Sequence, residues 1–184
     1  NRTLMKLMLF MLPVQITMGY FYTFFSPLFV GFPGGSSSLL GWCYFISALS
    51  EVPYLLLSDR LFDRFGAGKL MCVSALALTL RWLLVATAKS VPVLMLSQVL
   101  HGWGFIVMTV SMAKHITRNV PRELQASGQM LLAVVSFGLA RAFGNLGGGL
   151  LAHAFGQQNV FYLTSAVCAL AFLIFAPQFL KKKA

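Results

Sequence analysis

The sequence predicts an all-α integral membrane protein with six transmembrane helices, and three observations lead to this fold class. Of the 184 residues, 58% are hydrophobic and only 10% are charged, whereas a soluble domain carries about 25% charged residues. The apolar residues fall in blocks of roughly 20, the length that an α-helix needs to cross a bilayer. The basic residues are sorted by position along the chain, as in proteins that span a membrane. We therefore expect the whole chain to lie in a lipid bilayer.

Breaks between the apolar blocks define the six predicted spans. The first span ends where the run Gly31-Phe-Pro-Gly-Gly35 supplies strong helix breakers. A polar segment, 59–69, separates the second span from the third, and another, 114–123, separates the fourth from the fifth. The sixth span is nearly featureless, so we expect it to face lipid or to support the others. The spans run over about 4–30, 38–58, 70–88, 91–113, 124–155 and 160–180, and we expect one domain over 1–184.

The distribution of Lys and Arg predicts the orientation of the chain. Eleven of the fourteen lie on one side of the predicted membrane, Lys89 alone lies on the other, and Arg81 and Arg141 fall within spans. Because short loops rich in Lys and Arg stay in the cytoplasm, both termini are expected there, in a cytoplasmic (inner) membrane. The net charge of +10 would suggest nucleic-acid binding in a soluble protein. Here the charges follow the membrane topology and form no patch, which argues against a nucleic-acid partner.

Charged and polar side chains inside the spans are the candidate functional residues. Glu51, Arg81 and Arg141 are the charged ones; such residues are costly at membrane depth and usually mark substrate or proton pathways. The neutral candidates share helix faces within the spans and are Gln15, Tyr22, Tyr44, Gln98, His101 and Asn145. Neutral polar side chains also hold membrane helices together by hydrogen bonding, so packing remains the alternative role for them.

The sequence offers no chemistry of an enzyme or a metalloprotein. Its three cysteines, Cys43, Cys72 and Cys168, lack metal-ligand spacing and are expected to be buried as small apolar residues. No nucleophile–base pair lies at membrane depth, so we expect neither catalysis nor a cofactor. In the fifth span, small residues recur every four positions, at Ala140, Gly144, Gly148 and Ala152. This ladder fits either close helix packing or an element that moves against its neighbour.

The segment between the second and third spans resembles the cytoplasmic motif of the major facilitator superfamily. That motif reads Gly, three residues, Asp-Arg/Lys, any residue and Gly, followed by basic residues. Here Asp63-Arg64-Phe65-Gly66 and Lys69 match it, and Asp59 stands where the first Gly is usual. The resemblance implies that Asp59, Asp63, Arg64, Gly66 and Lys69 control conformational gating at the cytoplasmic face.

Three further stretches resemble the C-terminal half of the lactose-permease-related proton symporters, especially the phenylpropionate-permease-like and nucleoside-symporter-like branches. They are Leu80-Arg81-Trp82, Gln98-Val-Leu-His101-Gly and Arg122-Glu-Leu-Gln-Ala-Ser-Gly-Gln129. The resemblance covers essentially the whole chain. It implies helices seven to twelve of a twelve-helix transporter whose N-terminal half is absent from this sequence, with the substrate site near the midplane between the halves.

Two expectations about mechanism follow from the resemblance and the charge balance. Lactose-permease-like proteins carry an acidic residue one turn after the His of the fourth helix, where this chain has Gly104. Glu51 is then the expected proton carrier, and the charge of Arg81 is expected to adjust how readily Glu51 binds and releases a proton. Two arginines face this one acid, so an anionic solute such as an aromatic carboxylate would neutralise the second arginine.

Two other functions stay open on the sequence alone. A symporter for neutral nucleosides or oligosaccharides would require Arg81 and Arg141 both to be paired within the protein. The second open function is that of a six-helix membrane subunit that does not itself transport a solute.

Overall fold

The computed structural model describes residues 2–180, and within that range the chain is helical and without strands. Five helices are long and apolar enough to cross a membrane: α1 (Arg2–Gly31), α2 (Ser37–Thr87), α3 (Val91–Asn119), α4 (Arg122–Phe155) and α5 (Val160–Leu180). The predicted class of an all-α, multi-pass membrane protein is confirmed. Asn1 and the basic run 181–183, which contributed to the predicted orientation, lie outside the described residues.

The predicted number of six separate helices is not what the structure has, because the second and third predicted spans belong to one helical segment, α2. Within α2 only Gly66 leaves helical geometry, with φ 72° and ψ 167°. Ser47 and Arg81 both bond to the same Gln98 side chain, although 34 residues of straight helix would separate them by about 51 Å. α2 therefore folds back at Gly66 into a first arm, 37–65, and a second arm, 67–87.

The predicted loop 59–69 is helical for an identifiable reason. Its two acids, Asp59 and Asp63, lie one helical turn apart and pair with basic side chains of α3. Glycine is the residue that reaches positive φ without a steric penalty, so the reversal is confined to Gly66. The polar segment 114–123 is likewise mostly helical. It breaks at Val120 and Pro121, where the extended backbone of Val120 (φ −113°, ψ 137°) precedes the proline.

Two of the long helices contain a wide turn next to a candidate residue. In α3 the turn covers Gly102–Ile106 and directly follows His101. In α4 it covers Val134–Leu139 and ends two residues before Arg141. Such π-turns interrupt the regular hydrogen bonding of a helix and occur often at functional sites.

The small-residue ladder of α4 packs tightly on α1. A Cβ atom built on Gly144 would lie 2.4 Å from the carbonyl oxygen of Ile16, and one built on Gly148 would lie 2.3 Å from the ring of Tyr20. On the α1 side, a Cβ on Gly19 would meet the backbone of Ala140 at 2.8 Å. The ladder thus packs α4 closely against α1, which is one of the two roles predicted for it.

We expect Gly144→Ala to destabilise the protein by about 1–3 kcal/mol, the usual cost of overpacking. Its added methyl group would meet backbone atoms of α1, which cannot rotate away as a side chain can. Thermal unfolding of the purified protein in detergent measures the effect. Gly147→Ala is the matched control, because a Cβ at Gly147 meets nothing within 4 Å. Equal melting temperatures for the two variants would contradict this account of the packing.

The last helix, α5, packs against other helices and so supports the bundle, which is one of the two roles expected for the sixth span. The Thr17 hydroxyl of α1 lies 3.4 Å from the Cys168 thiol, and Ser165 donates to the carbonyl of Thr79 in the second arm of α2 at 2.8 Å. Just before α5, the Gln158 amide donates to three carbonyls at the end of α2, those of Val85, Ala86 and Ala88. The three cysteines are buried and free, as predicted.

Candidate functional site

Arg81 lies at the centre of a buried polar cluster contributed by both arms of α2 and by α3. Its side chain is fully buried. One terminal nitrogen lies 2.8 Å from Nδ1 of His101, and the other donates to Oε1 of Gln98 at 2.7 Å. The guanidinium also lies 4.2 Å from the ring centroid of Phe21 and 4.8 Å from that of Trp82. Hydrogen bonds and aromatic faces thus surround the terminal nitrogens of this charge, while its Nε is buried without a partner among the described residues.

The contact with Arg81 determines the protonation state of His101. A guanidinium can only donate hydrogen bonds, so Nδ1 of His101 must accept. The other ring nitrogen, Nε2, then carries the proton and lies 3.2 Å from Oε1 of Glu51. His101 is neutral in this arrangement, because a doubly protonated ring could not accept from Arg81. Three predicted residues therefore form one chain of contacts, Arg81–His101–Glu51.

Gln98 fixes the other side of this cluster. Its carbonyl oxygen accepts from Arg81 and from the hydroxyl of Ser47 at 2.8 Å. Its amide nitrogen donates to the Leu94 carbonyl and to the Ser97 hydroxyl. Gln98 is completely buried. With every polar atom of Gln98 bonded, its side chain holds the two arms of α2 against α3.

Arg141 has a different environment. Its side chain is exposed, and its guanidinium lies 4.9 Å from the ring of Tyr22 and 5.3 Å from that of Phe137. Among residues 2–180 the ion pairs engage Glu51, Asp59 and Asp63, and none of them includes Arg141. The fourth acid of the chain, Glu123, precedes Arg141 by 18 residues, about 27 Å along α4. Within the described chain, then, Arg141 has rings beside it and no carboxylate.

Aromatic rings connect the two arginine environments. Phe105 stacks on His101 with centroids 5.5 Å apart. The same ring meets Tyr22 at 6.1 Å and Phe137 at 6.4 Å, and those two rings flank Arg141. One aromatic layer therefore separates the guanidinium of Arg141 from the His101–Glu51 pair.

The remaining neutral candidates are placed less centrally. Tyr44 is exposed and its hydroxyl lies 2.6 Å from that of Ser26 on α1. With its amide nitrogen turned towards α1, Asn145 donates to Thr23 at 2.7 Å and to the Gly19 carbonyl at 2.9 Å. Gln15 is buried, and its amide nitrogen has no partner within the described part of the chain.

The residues of the predicted gating motif have three different environments. Asp59 contacts Lys114 and lies 3.1 Å from Arg118, and Asp63 contacts Arg118. Gly66 forms the reversal of α2. Arg64 and Lys69 form no ion pair within 2–180. The two acids thus tie the end of the first arm of α2 to the end of α3.

Sequence reasoning missed several partners of these residues. Lys114 and Arg118 served only to predict orientation, although their spacing of four residues matches that of Asp59 and Asp63 and could have suggested the pairing. Ser111, which bonds to Tyr54 across the same two helices, carried no such signal. Phe21, Phe105 and Phe137 could not be distinguished from the other phenylalanines, because their role depends on which helices meet.

Comparison with known proteins gives a consistent result. A family model described as the MFS_1 like family matches residues 1–163. The chain is 28% identical to a maltose permease of Geobacillus stearothermophilus over 74% of this chain and 34% of the relative. It is 26% identical to a probable 3-phenylpropionic acid transporter of Escherichia coli over 79% of this chain and 38% of the relative.

A nucleoside permease of Escherichia coli is 25% identical over 62% of this chain and 28% of that relative. The chain therefore spans only about a third of the length of the curated relatives it matches. These relatives are named as permeases or transporters and not as enzymes.

Proposed function

Because this chain belongs to the MFS_1 like family, we propose that it is the C-terminal half of a secondary active transporter in the cytoplasmic membrane. The full protein moves a small organic solute by alternating access, together with a proton. Its N-terminal half supplies the other wall of the substrate site. The observation that carries the proposal is the contact chain Arg81–His101–Glu51, inside a bundle whose relatives carry transporter names.

Glu51 is the proposed proton carrier. It is the one acid within the predicted spans, and its side chain is 24% exposed while its partner His101 is buried. Glu51 can therefore exchange a proton with water on one side and remain bonded to the buried cluster on the other. Arg81 enters this step indirectly, because it fixes the tautomer of His101 that turns an N–H towards the carboxylate.

Arg141 is the proposed contact for the solute, which we infer to be an anion such as an aromatic carboxylate. Its guanidinium is exposed and lacks an acidic partner among the described residues. It can grip a carboxylate through two parallel hydrogen bonds. The rings of Tyr22 and Phe137 beside it would pack against an aromatic portion of the solute. One of the relatives is named as a probable transporter of 3-phenylpropionic acid.

A neutral solute is the second candidate, because two other relatives are named as maltose and nucleoside permeases. Such a transporter should have both membrane arginines paired within the protein. Arg81 meets this requirement through Gln98 and His101. Arg141 does not meet it among residues 2–180, which favours the anion.

A recording of external pH tests the proposed function. Lightly buffered, deenergised cells that express the full-length transporter receive aromatic carboxylates, nucleosides or oligosaccharides in turn. We expect the external pH to rise with the carboxylates and not in cells that lack the transporter. A rise with nucleosides or sugars alone would contradict the anionic substrate and keep the proton coupling. No rise with any class would contradict coupling through Glu51.

A further inference from the structure

Polar side chains line the contact between the first arm of α2 and α3, from the level of Ser47 to the end that is predicted to be cytoplasmic. We call this line the polar seam. Its members are Ser47, Glu51, Tyr54 and Ser58 on α2, and Gln98, His101, Ser111 and His115 on α3. The two helices run parallel, since positions further along α2 meet positions further along α3.

Three contacts cross the polar seam. Ser47 bonds to Gln98 at 2.8 Å, and Glu51 lies 3.2 Å from His101. Closer to the end that carries Asp59, the hydroxyl oxygens of Tyr54 and Ser111 are 2.8 Å apart, and either of them can be the donor. Tyr54 is 1% exposed and Ser111 is fully buried. A buried pair of hydroxyls that can reverse its donor and acceptor can pass a proton in either direction.

His115 continues the polar seam one helical turn beyond Ser111, on the same face of α3. It is 9% exposed, and its Nε2 atom is buried without a partner in the described part of the chain. The other nitrogen, Nδ1, lies 3.4 Å from the amide nitrogen of Asn119. Because that amide group is a donor, Nδ1 accepts and Nε2 carries the proton. Packing therefore leaves a polar N–H of His115 unused at this depth.

A proton released by Glu51 needs further carriers to reach the end of α3 that is predicted to be cytoplasmic. From His101 to His115 there are 14 residues, about 21 Å of helix, which is too far for a single proton transfer. Ser111 and His115 lie in the lower part of that interval. His115 is also next to Lys114, whose partner Asp59 has a side chain that is 74% exposed. A proton that reaches His115 is therefore close to water.

We propose that the polar seam is the route by which the proton passes between Glu51 and the cytoplasmic face, with the Tyr54–Ser111 pair and His115 as its carriers. The proposal rests on the proposed proton coupling. In each cycle the carboxyl of Glu51 loses one proton and cytoplasmic water gains it. Each carrier accepts a proton on one side and releases one on the other, so Tyr54, Ser111 and His115 end the cycle unchanged. The charged groups beside this route include Arg81, which contacts His101, and, near His115, Lys114 and Arg118 on α3 with Asp59 on α2.

The test separates proton release from solute binding in the full-length transporter. Exchange of labelled for unlabelled solute across a vesicle needs no net proton movement, whereas net uptake needs one. We expect His115→Asn to slow net uptake and solute-induced proton uptake at least tenfold, since a positioned acid–base group typically contributes about 10²- to 10⁴-fold. Exchange should stay at the wild-type rate. His153→Asn, an exposed histidine near the other end of the bundle, is the matched control and should change neither rate.

Tyr54→Phe provides an independent variant. It keeps the ring that packs 6.3 Å from Trp103 and removes only the hydroxyl, so it remains informative if the His115 variant does not fold. Equal slowing of exchange and net uptake in both variants, or no slowing of either rate, would overturn the route. A wild-type transporter that moves solute without any proton would overturn the coupling itself, and the route with it. The wild-type recording alone distinguishes that result from failure of the route.

Discussion

Replacing Arg141 with Gln is expected to weaken the affinity of the full-length transporter for an aromatic carboxylate by about 10- to 100-fold. A hydrogen bond to a charged group contributes about 1.5–3 kcal/mol, and each 1.4 kcal/mol corresponds to a factor of ten in affinity. Since the introduced amide keeps hydrogen-bonding ability and loses the charge, the effect should fall on anions and spare neutral solutes. The concentration dependence of uptake measures it.

The structure explains why Arg141, and not Arg81, should show this selectivity. Arg81 already has Gln98 and His101 as partners and is fully buried. Its loss would damage the cluster whatever the solute. Among residues 2–180 the recorded neighbours of the Arg141 guanidinium are rings, at 4.9 and 5.3 Å, so its charge is available to a ligand. A variant at Arg81 should therefore impair all transport, and one at Arg141 should impair transport of anions.

Two further variants test whether the effect depends on the guanidinium of Arg141 and on its position. Arg141→Lys retains the charge without the planar fork, so it should recover part of the affinity lost in Arg141→Gln. Arg122→Gln removes an exposed charge at the start of the same helix, α4, and should leave affinity unchanged. If Arg141→Gln transported the carboxylate with wild-type affinity, the substrate would not contact Arg141 and the anion proposal would fail.

The sequence pointed to the members of the buried cluster as candidates, but it could not show the contacts that distinguish Arg81 from Arg141. Glu51, Arg81 and His101 attracted attention because ionisable side chains are costly at membrane depth, and the structure brings them into contact. The difference between Arg81 and Arg141 depends on Gln98 and on rings from other helices. Those contacts arise only when the helices pack, so no local pattern reveals them.

The connection within α2 shows a second limit of the sequence. A polar stretch between two apolar spans suggests a loop, and the six-span prediction treated 59–69 as one. Helix is favoured there because Asp59 and Asp63 find partners on α3, which lies more than 50 positions later in the chain. Long-range pairing of this kind overrides local polarity, and only the glycine at 66 marks the reversal.

Replacing Glu51 with Gln is expected to reduce solute-induced proton uptake to background while exchange of solute persists. An amide has nearly the same shape as a carboxyl and still offers an acceptor oxygen to the Nε2–H of His101, which lies 3.2 Å from Glu51. The cluster around Arg81 should thus keep its geometry. What is lost is the ability to bind and release a proton, which coupling requires and exchange does not.

Measurements of both rates on the same vesicles check this expectation, and Glu51→Asp refines it. Asp retains a titratable carboxyl but is one methylene shorter, so its oxygen withdraws from His101. Proton uptake should then be slowed and not abolished. If Glu51→Gln retained wild-type proton uptake, the carrier would have to lie in the other half of the transporter. If it lost exchange as well, Glu51 would be holding the solute site together and not carrying the proton. Retained exchange with lost proton uptake is the result that only a proton carrier at Glu51 predicts, because it requires an intact solute site together with a missing acid.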